Sequence, residues 1–315
     1  MNTRLMVLLE NTQRAAELLK SAAPLAQALN LKLCAVHVLP LQSELRLRTV
    51  EDYPFGHCGV ACLDAPPELP EGVTLERIVV EAPDEVQGVF HALNHIETTL
   101  LMMGTHGREG VRRMLEGSVA ESVVRRSPCP VLLLREGIPA PLAPPKHLLV
   151  PIPLEGGDER AVVSAVHVAL GLGAQLTLLH VRIHTAATHG VAYGAYPDPN
   201  EQAYFARWQL EGERRLEAAR AYARALGGDT LRLETATLET FDTRVSSKIL
   251  HFAEEQGVDL IALSTASKRG FERLLLGSVA EGVLHHAQIP VLLLGPHSSA
   301  LEPQGVGAAL KVPDA

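Results

Sequence analysis

The sequence predicts an α/β chain of two tandem domains, each an open parallel sheet of five strands in the order 3-2-1-4-5 with helices on both faces. Three observations lead there. Short apolar runs of strand length alternate with helical patterns along the chain, the rhythm of successive βαβ units. The stretch Gly104–Leu134, GTHGREGVRRMLEGSVAESVVRRSPCPVLLL, returns without a gap 160 residues further on as STASKRGFERLLLGSVAEGVLHHAQIPVLLL. A repeat of that length is a whole domain, not a solenoid unit. Each copy also ends in the apolar strand PVLLL, which would be an exposed edge in an isolated domain. Pairing Pro130–Leu134 with its twin Pro290–Leu294 removes both edges and makes the repeats an internal pseudo-dimer.

Arg4–Leu9 reads as the first strand and Gln13–Leu29 as the helix covering it, with Asn11 and Thr12 as caps. Leu31–Leu39 is the second strand; its His37 is read as a satisfied core residue with no catalytic role. From Pro40 to Gly72 the long helix that such a domain needs is missing. The sequence offers a short helix around Ser43–Asp52, then Tyr53-Pro54-Phe55-Gly56 and prolines at Pro66, Pro67 and Pro70. His57, Cys58 and Cys62 lie here without a fourth ligand nearby, so they read as a reduced loop and not a zinc site. Val73–Val80 is the third strand, Asp84–Ile96 its helix and Leu100–Met103 the fourth strand. A helix opening at Ser118, with Val123 and Val124 on one face, leads to the fifth; Cys129 just before it is a small buried hydrophobe.

The first domain is expected over residues 1–136 and a stiff proline-rich linker over 137–146. The second, over 147–297, repeats the order with strands at His147–Ile152, Leu176–Ile183, Leu231–Leu238, Asp259–Leu263 and Pro290–Leu294. Its helix Pro199–Leu226, rich in Ala, Glu and Arg, is the one the first domain lacks. Thr243–Gln256 is its next helix. The histidines His184 and His189 are irregularly spaced in a surface loop and are not read as metal ligands. Residues 298–315 hold Gly, Pro and Ala without period and are expected to be loose or draped over the surface.

The chemistry lies in the loop after the fourth strand. Gly104 and Gly107 fall where α/β sheets bind ligands, and glycine there permits positive φ and close approach of backbone to a bound group. Gly117 and Ser118 open the next helix, whose free amides and dipole suit a phosphate, although Ser118 with Glu121 is also a capping box that needs no ligand. Thr105, His106 and Arg108 lie beside the glycines, and Arg112 and Arg113 add positive charge; Arg108 is the basic residue read as meeting phosphate oxygens. The second copy breaks the pattern. Ser264 and Ser267 replace Gly104 and Gly107, while Gly270, Gly277 and Ser278 persist, so the second site is read as degenerate.

With the spacing G-x2-G-x9-G-S followed by a helix and an apolar strand, the chain resembles a tandem universal stress protein. That family has a Rossmann-like fold and belongs to the adenine nucleotide α-hydrolase-like superfamily; some members bind ATP. The resemblance implies ATP, with or without Mg, in the first domain. It places Gly104, Gly107, Gly117, Ser118 and Val119 on the phosphates with Arg108 beside them, and Glu10, Val38 and Met103 around the nucleoside. Glu10 stands where the family has Asp, its carboxylate one methylene further out. In the second repeat that position is Pro153 without a gap, the alignment we favour, or Glu155 with a two-residue shift. His37-Val38 and His180-Val181 match a position whose backbone contacts adenine in the family. The resemblance further implies a regulatory or protective role in stress, dimerisation through the fifth strand, and at most slow ATP hydrolysis.

Composition narrows the classes. A chain of 315 residues, 47% hydrophobic, is ample for two cores. A net charge of −8 without a basic run gives no footprint for nucleic acid. Leu5–Leu9 is too short for a signal peptide and no stretch is long enough to span a membrane. Four cysteines do not make a disulfide framework, which points to the cytoplasm. No nucleophile, base and orienting group assemble, nor an Asp pair for two metals, so a dedicated enzyme is not indicated. A nucleotide-free adaptor or carrier of a small apolar or acidic ligand is the rival reading, motivated by Glu10, the trimmed middle of the first repeat and the two serines. Pairing of whole chains into a homodimer is left open.

Overall fold

The computed structural model describes residues 3–10, 14–41, 45–53, 58–105, 119–135, 137–154, 156, 158–183, 199–240, 244–265 and 277–301, the side chains of 199–206, 208 and 209 excepted. Among them, eleven strands form one sheet in the order β3-β4-β2-β1-β5-β6-β11-β10-β7-β8-β9. In the first half these are β1 (Arg4–Leu8), β2 (Lys32–Pro40), β3 (Arg46–Thr49), β4 (Leu75–Ala82), β5 (Thr98–Thr105) and β6 (Val131–Arg135). In the second they are β7 (His147–Pro151), β8 (Gln175–Ile183), β9 (Arg232–Thr240), β10 (Leu260–Ser264) and β11 (Val291–Leu294). Apart from β3, each half has the expected parallel order. The two sheets are not separate, however, because β6 pairs antiparallel with β11, Leu132 facing Leu292 and Val131 facing Leu293.

The crossovers divide the helices between the faces. On one lie α1 (Arg14–Ala28), α2 (Ala61–Asp64), α5 (Glu159–Leu172) and α6 (Pro199–Gly227). On the other lie α3 (Glu85–His95), α4 (Val119–Arg126), α7 (Val245–Glu255) and α8 (Ser278–His286). Strand side chains alternate between them, so Leu132, Leu134, Leu292 and Leu294 join the first core while Val131, Leu133, Val291 and Leu293 join the second. Both cores run unbroken across the seam. This is why the central strands read as continuous apolar runs, each being buried on both faces.

Two expectations change. Residues 46–49 form β3, an edge strand antiparallel to β4, followed by a 3₁₀ turn at Val50–Asp52, in place of the expected helix. The alternation of Arg46-Leu47-Arg48-Thr49 decides it: Leu47 packs on the core, and Arg48 lies 3.9 Å from Glu81 across the strand pair. Val50, Val60 and Leu63 then fill the core that α6 covers in the second half. The Cys58 thiol donates to Asp64 at 3.2 Å, and no group of three metal-ligating side chains occurs among the described residues. The tail, too, is not loose from its start. Ser298 and Leu301 are buried, and the Ser298 hydroxyl bridges the Ser127 and Cys129 carbonyls at 3.1 Å each.

One arginine in each half ties the chain leaving the last strand to the first helix. Arg14 donates to the carbonyls of Arg135 at 2.5 Å and Ile138 at 2.9 Å. Arg160 does the same for Pro296 at 3.0 Å and Ser298 at 2.8 Å. The seam itself is apolar, so Leu292→Ala, at a side chain 1% exposed, is expected to lower stability in urea unfolding by about 2–5 kcal/mol. Leu142→Ala in the linker, 69% exposed, is expected to change it by less than about 0.5 kcal/mol.

Candidate functional site

In an open parallel sheet the ligand crevice opens where the strand order reverses, here between β1 and β5 at their carboxyl ends. The register pairs Leu8 with Met103, so Glu10, two residues past β1, stands beside the Gly104-Thr105 end of β5. Glu10 is exposed. The carbonyl before it is fixed: His37 on β2 is buried and its Nδ1 lies 2.7 Å from the Leu9 carbonyl, which it meets as donor. His180 repeats the arrangement on the Ile152 carbonyl at 3.1 Å. The expected role of His37 as a satisfied core residue is what the geometry shows, and the brace it forms sets the direction of the chain into Glu10.

The other predicted positions divide in two. Val38 is turned into the core beneath α3, where a Cβ on Gly88 would come within 2.3 Å of its Cγ1, so its side chain is taken up by packing. Met103 is also buried, and Val119, half-buried, opens α4. Gly104 differs from expectation. Its φ is not positive, and an added Cβ would make only ordinary contact, 3.6 Å from Leu18 and 3.9 Å from the Leu134 carbonyl. As the last residue but one of β5 it still follows the strand's dihedrals, so its value lies in the absence of a side chain at the rim. Gly107, Arg108, Gly117 and Ser118 lie outside the described residues, as do His106, Arg112 and Arg113.

The second copy is seen more fully at its helix. Gly277 is the N-cap of α8, with φ −59° and ψ 148°, and Ser278 is already helical, so no side chain caps this helix. Ser264 at the Gly104 position carries a buried hydroxyl without a partner among the described residues. In this half the segment after β7 is tied to α6. Arg215, on the long helix α6, donates to the Pro153 carbonyl at 3.1 Å and to Asp158 at 3.0 Å. Gly156, at φ +80°, leaves room for it: a Cβ there would lie 2.8 Å from Nη2. Glu155 is outside the described residues. Further along, α6 presses on β8 at Gly212, where a Cβ would come within 2.2 Å of His180 Nε2, and burial holds the His180 pKa below its usual value.

A sequence profile of the universal stress protein family matches residues 1–135 and again 145–295. The chain belongs to the universal stress protein family. Among its relatives are a universal stress protein of Methanocaldococcus jannaschii, 38% identical over 27% of this chain and 46% of its own length, and one of Mycobacterium tuberculosis, 25% identical over 62% of each. The chain thus spans about half to three fifths of these curated relatives. Two solved structures share the fold. A universal stress protein of Archaeoglobus fulgidus superposes with TM-score 0.56 at 16% identity over 93% of this chain and 97% of the other. A candidate universal stress protein of Pseudomonas aeruginosa gives 0.58 at 15% identity over 94% and 93%.

Within this universal stress protein, Asp158 and Arg215 were not legible in the sequence. Nothing local marks Arg215, one of many arginines on α6. Burial pushes the Asp158 pKa up although Arg215 and a backbone hydrogen bond pull it down. Arg215→Ala would leave that carboxyl buried without its cation and raise its folded pKa further. Stability linked to the protonated form is present below the unfolded carboxyl range, near pH 4, and is lost as pH climbs through the folded pKa. The gap between wild type and variant in urea unfolding is therefore expected to widen as pH rises from the unfolded carboxyl range through the folded pKa, reaching on the order of 3 kcal/mol. A gap independent of pH would show that Asp158 does not depend on Arg215 for its charge.

Proposed function

We propose that this universal stress protein is a stress-response protein that binds an adenine nucleotide, ATP with or without magnesium, in its first half, and that its role is regulatory or protective. One observation carries the reading: the intact G-x2-G-x9-G-S spacing begins at Gly104, at the rim of β5 beside Glu10, whereas the second copy has serines and an internal arginine at the equivalent crevice. Gly104, Gly107, Gly117, Ser118 and Val119 would hold the phosphates with Arg108, and the backbone of Val38 and Met103 with the carboxylate of Glu10 would receive the nucleoside. Glu10 would reach a ribose hydroxyl as Asp does, from one methylene further back.

Turnover is not part of the proposal. The four cysteines are unpaired, which fits a cytoplasmic setting, and burial pushes the thiols of Cys34 and Cys129 up to about 12 and about 11, far from nucleophilic thiolates. The adaptor reading keeps one observation in its favour, the longer acid at Glu10.

Denaturing freshly purified protein and quantifying released nucleotide tests the proposal. About one ATP or ADP per chain is expected, falling at least about 10-fold in a Gly107→Ala, Gly117→Ala variant and by about 10-fold in Glu10→Ala. Two per chain would mean that the second half binds despite Arg215. None, together with no heat on titrating ATP and magnesium, would leave the adaptor.

A further inference from the structure

The helix α3 carries two histidines, His91 and His95, one turn apart on the same flank. Gly88, Val89, Ala92 and Leu93 turn into the core, so the flank that bears the pair is left to solvent, with His91 half-buried and His95 exposed. Their ring centroids lie 4.2 Å apart and the ring planes are inclined by 39°. The Nδ1 of His95 is 2.8 Å from the His91 carbonyl, which it meets as donor. That bond fixes the tautomer and leaves the Nε2 lone pair of His95 unused, which is how a backbone carbonyl orients an imidazole toward a metal ion.

Other histidines on the helices are accounted for differently. His251 lies 3.3 Å from Glu255 and His285 3.6 Å from Glu281, each beside a carboxylate one turn away. His286 bonds the carbonyl four residues back as His95 does, but the residue there is Gly282 and offers no second ring. His91 and His95 meet each other, and no carboxylate pairs with either among the described residues. Two such rings add little to a helix and repel when both are charged. Burial and the neighbouring His95 hold the His91 pKa below its usual value, toward the neutral form that a metal requires. The pair also closes the last turn of α3, where the helix dipole favours a cation.

We infer that His91 and His95 form a two-point chelate for a divalent transition ion of the kind imidazole prefers, zinc, nickel or copper, with water in its remaining positions. Since both rings belong to one helix, the bound ion ties its last turn together. α3 ends just before β5 begins at Thr98, so the pair stands at the amino end of the strands, away from the crevice at their carboxyl ends. The site is therefore independent of the nucleotide reading.

Calorimetry of the full chain at about pH 7.5, where free imidazole is mostly neutral, with zinc chloride and nickel chloride as separate titrants, tests it. Wild type is expected to hold one ion at least about 10-fold more tightly than either His91→Ala or His95→Ala, because a lone imidazole loses the second, intramolecular contact. His251→Ala, which removes a ring that lies beside a glutamate, is expected to leave that ion in place. Nickel is also expected to raise the urea midpoint of wild type and of His251→Ala but not that of the other two variants, a separation that an ion bound elsewhere would not give. Weakening in only one of the two variants would mean a single-histidine ligand and overturn the chelate. Equal affinity in all variants, or no binding of either ion by wild type, would overturn it too.

Discussion

The pairing of β6 with β11 is the constraint on which the rest of the structure depends. Both strands are runs of leucine and valine buried on both faces, and neither could end a sheet exposed to water without offering its backbone to another chain. Joined antiparallel, they give the molecule one sheet and two continuous cores, one on each face. The arginines Arg14 and Arg160 then fasten the segments that leave these strands. Chain direction at the seam also decides what each half can lend the other, since it brings the end of α8 to the rim where β5 stops.

Much of this was legible because it rests on patterns that local physics enforces. The elements followed from apolar periodicity, the strand order from the connection rules of doubly wound sheets, and the seam from the repeated PVLLL together with the family resemblance. The misreadings were of segments whose structure is set from far away. Residues 46–49 became a strand because β4 had an open edge and Glu81 a charge to meet, which no window around Ser43–Asp52 contains. The first residues of the tail are pinned by Ser164 and by the carbonyls of residues 127–129, again distant in sequence. At Gly104 a strand dihedral replaces the positive φ that glycine suggests, because the residue still belongs to β5.

The two halves have diverged in what stands at their crevices. In the second, Arg215 of the long helix α6 pairs with Asp158 at the start of α5, just past β7. The first has β3, a 3₁₀ turn and the four-residue α2 between β2 and β4, and no long helix among the described residues there from which such an arginine could come. The short connection and the glycine spacing therefore belong to the same half, and the long helix and the serines to the other.

An antiparallel seam has one more effect. All parallel strands of the first half run one way and those of the second run the other, so the two rims face opposite ends of the molecule. A small molecule released at one rim does not find the other within reach, and duplication therefore brings no gain in effective concentration. For a large partner the geometry acts differently. Two rims pointing apart cannot both close on the same body.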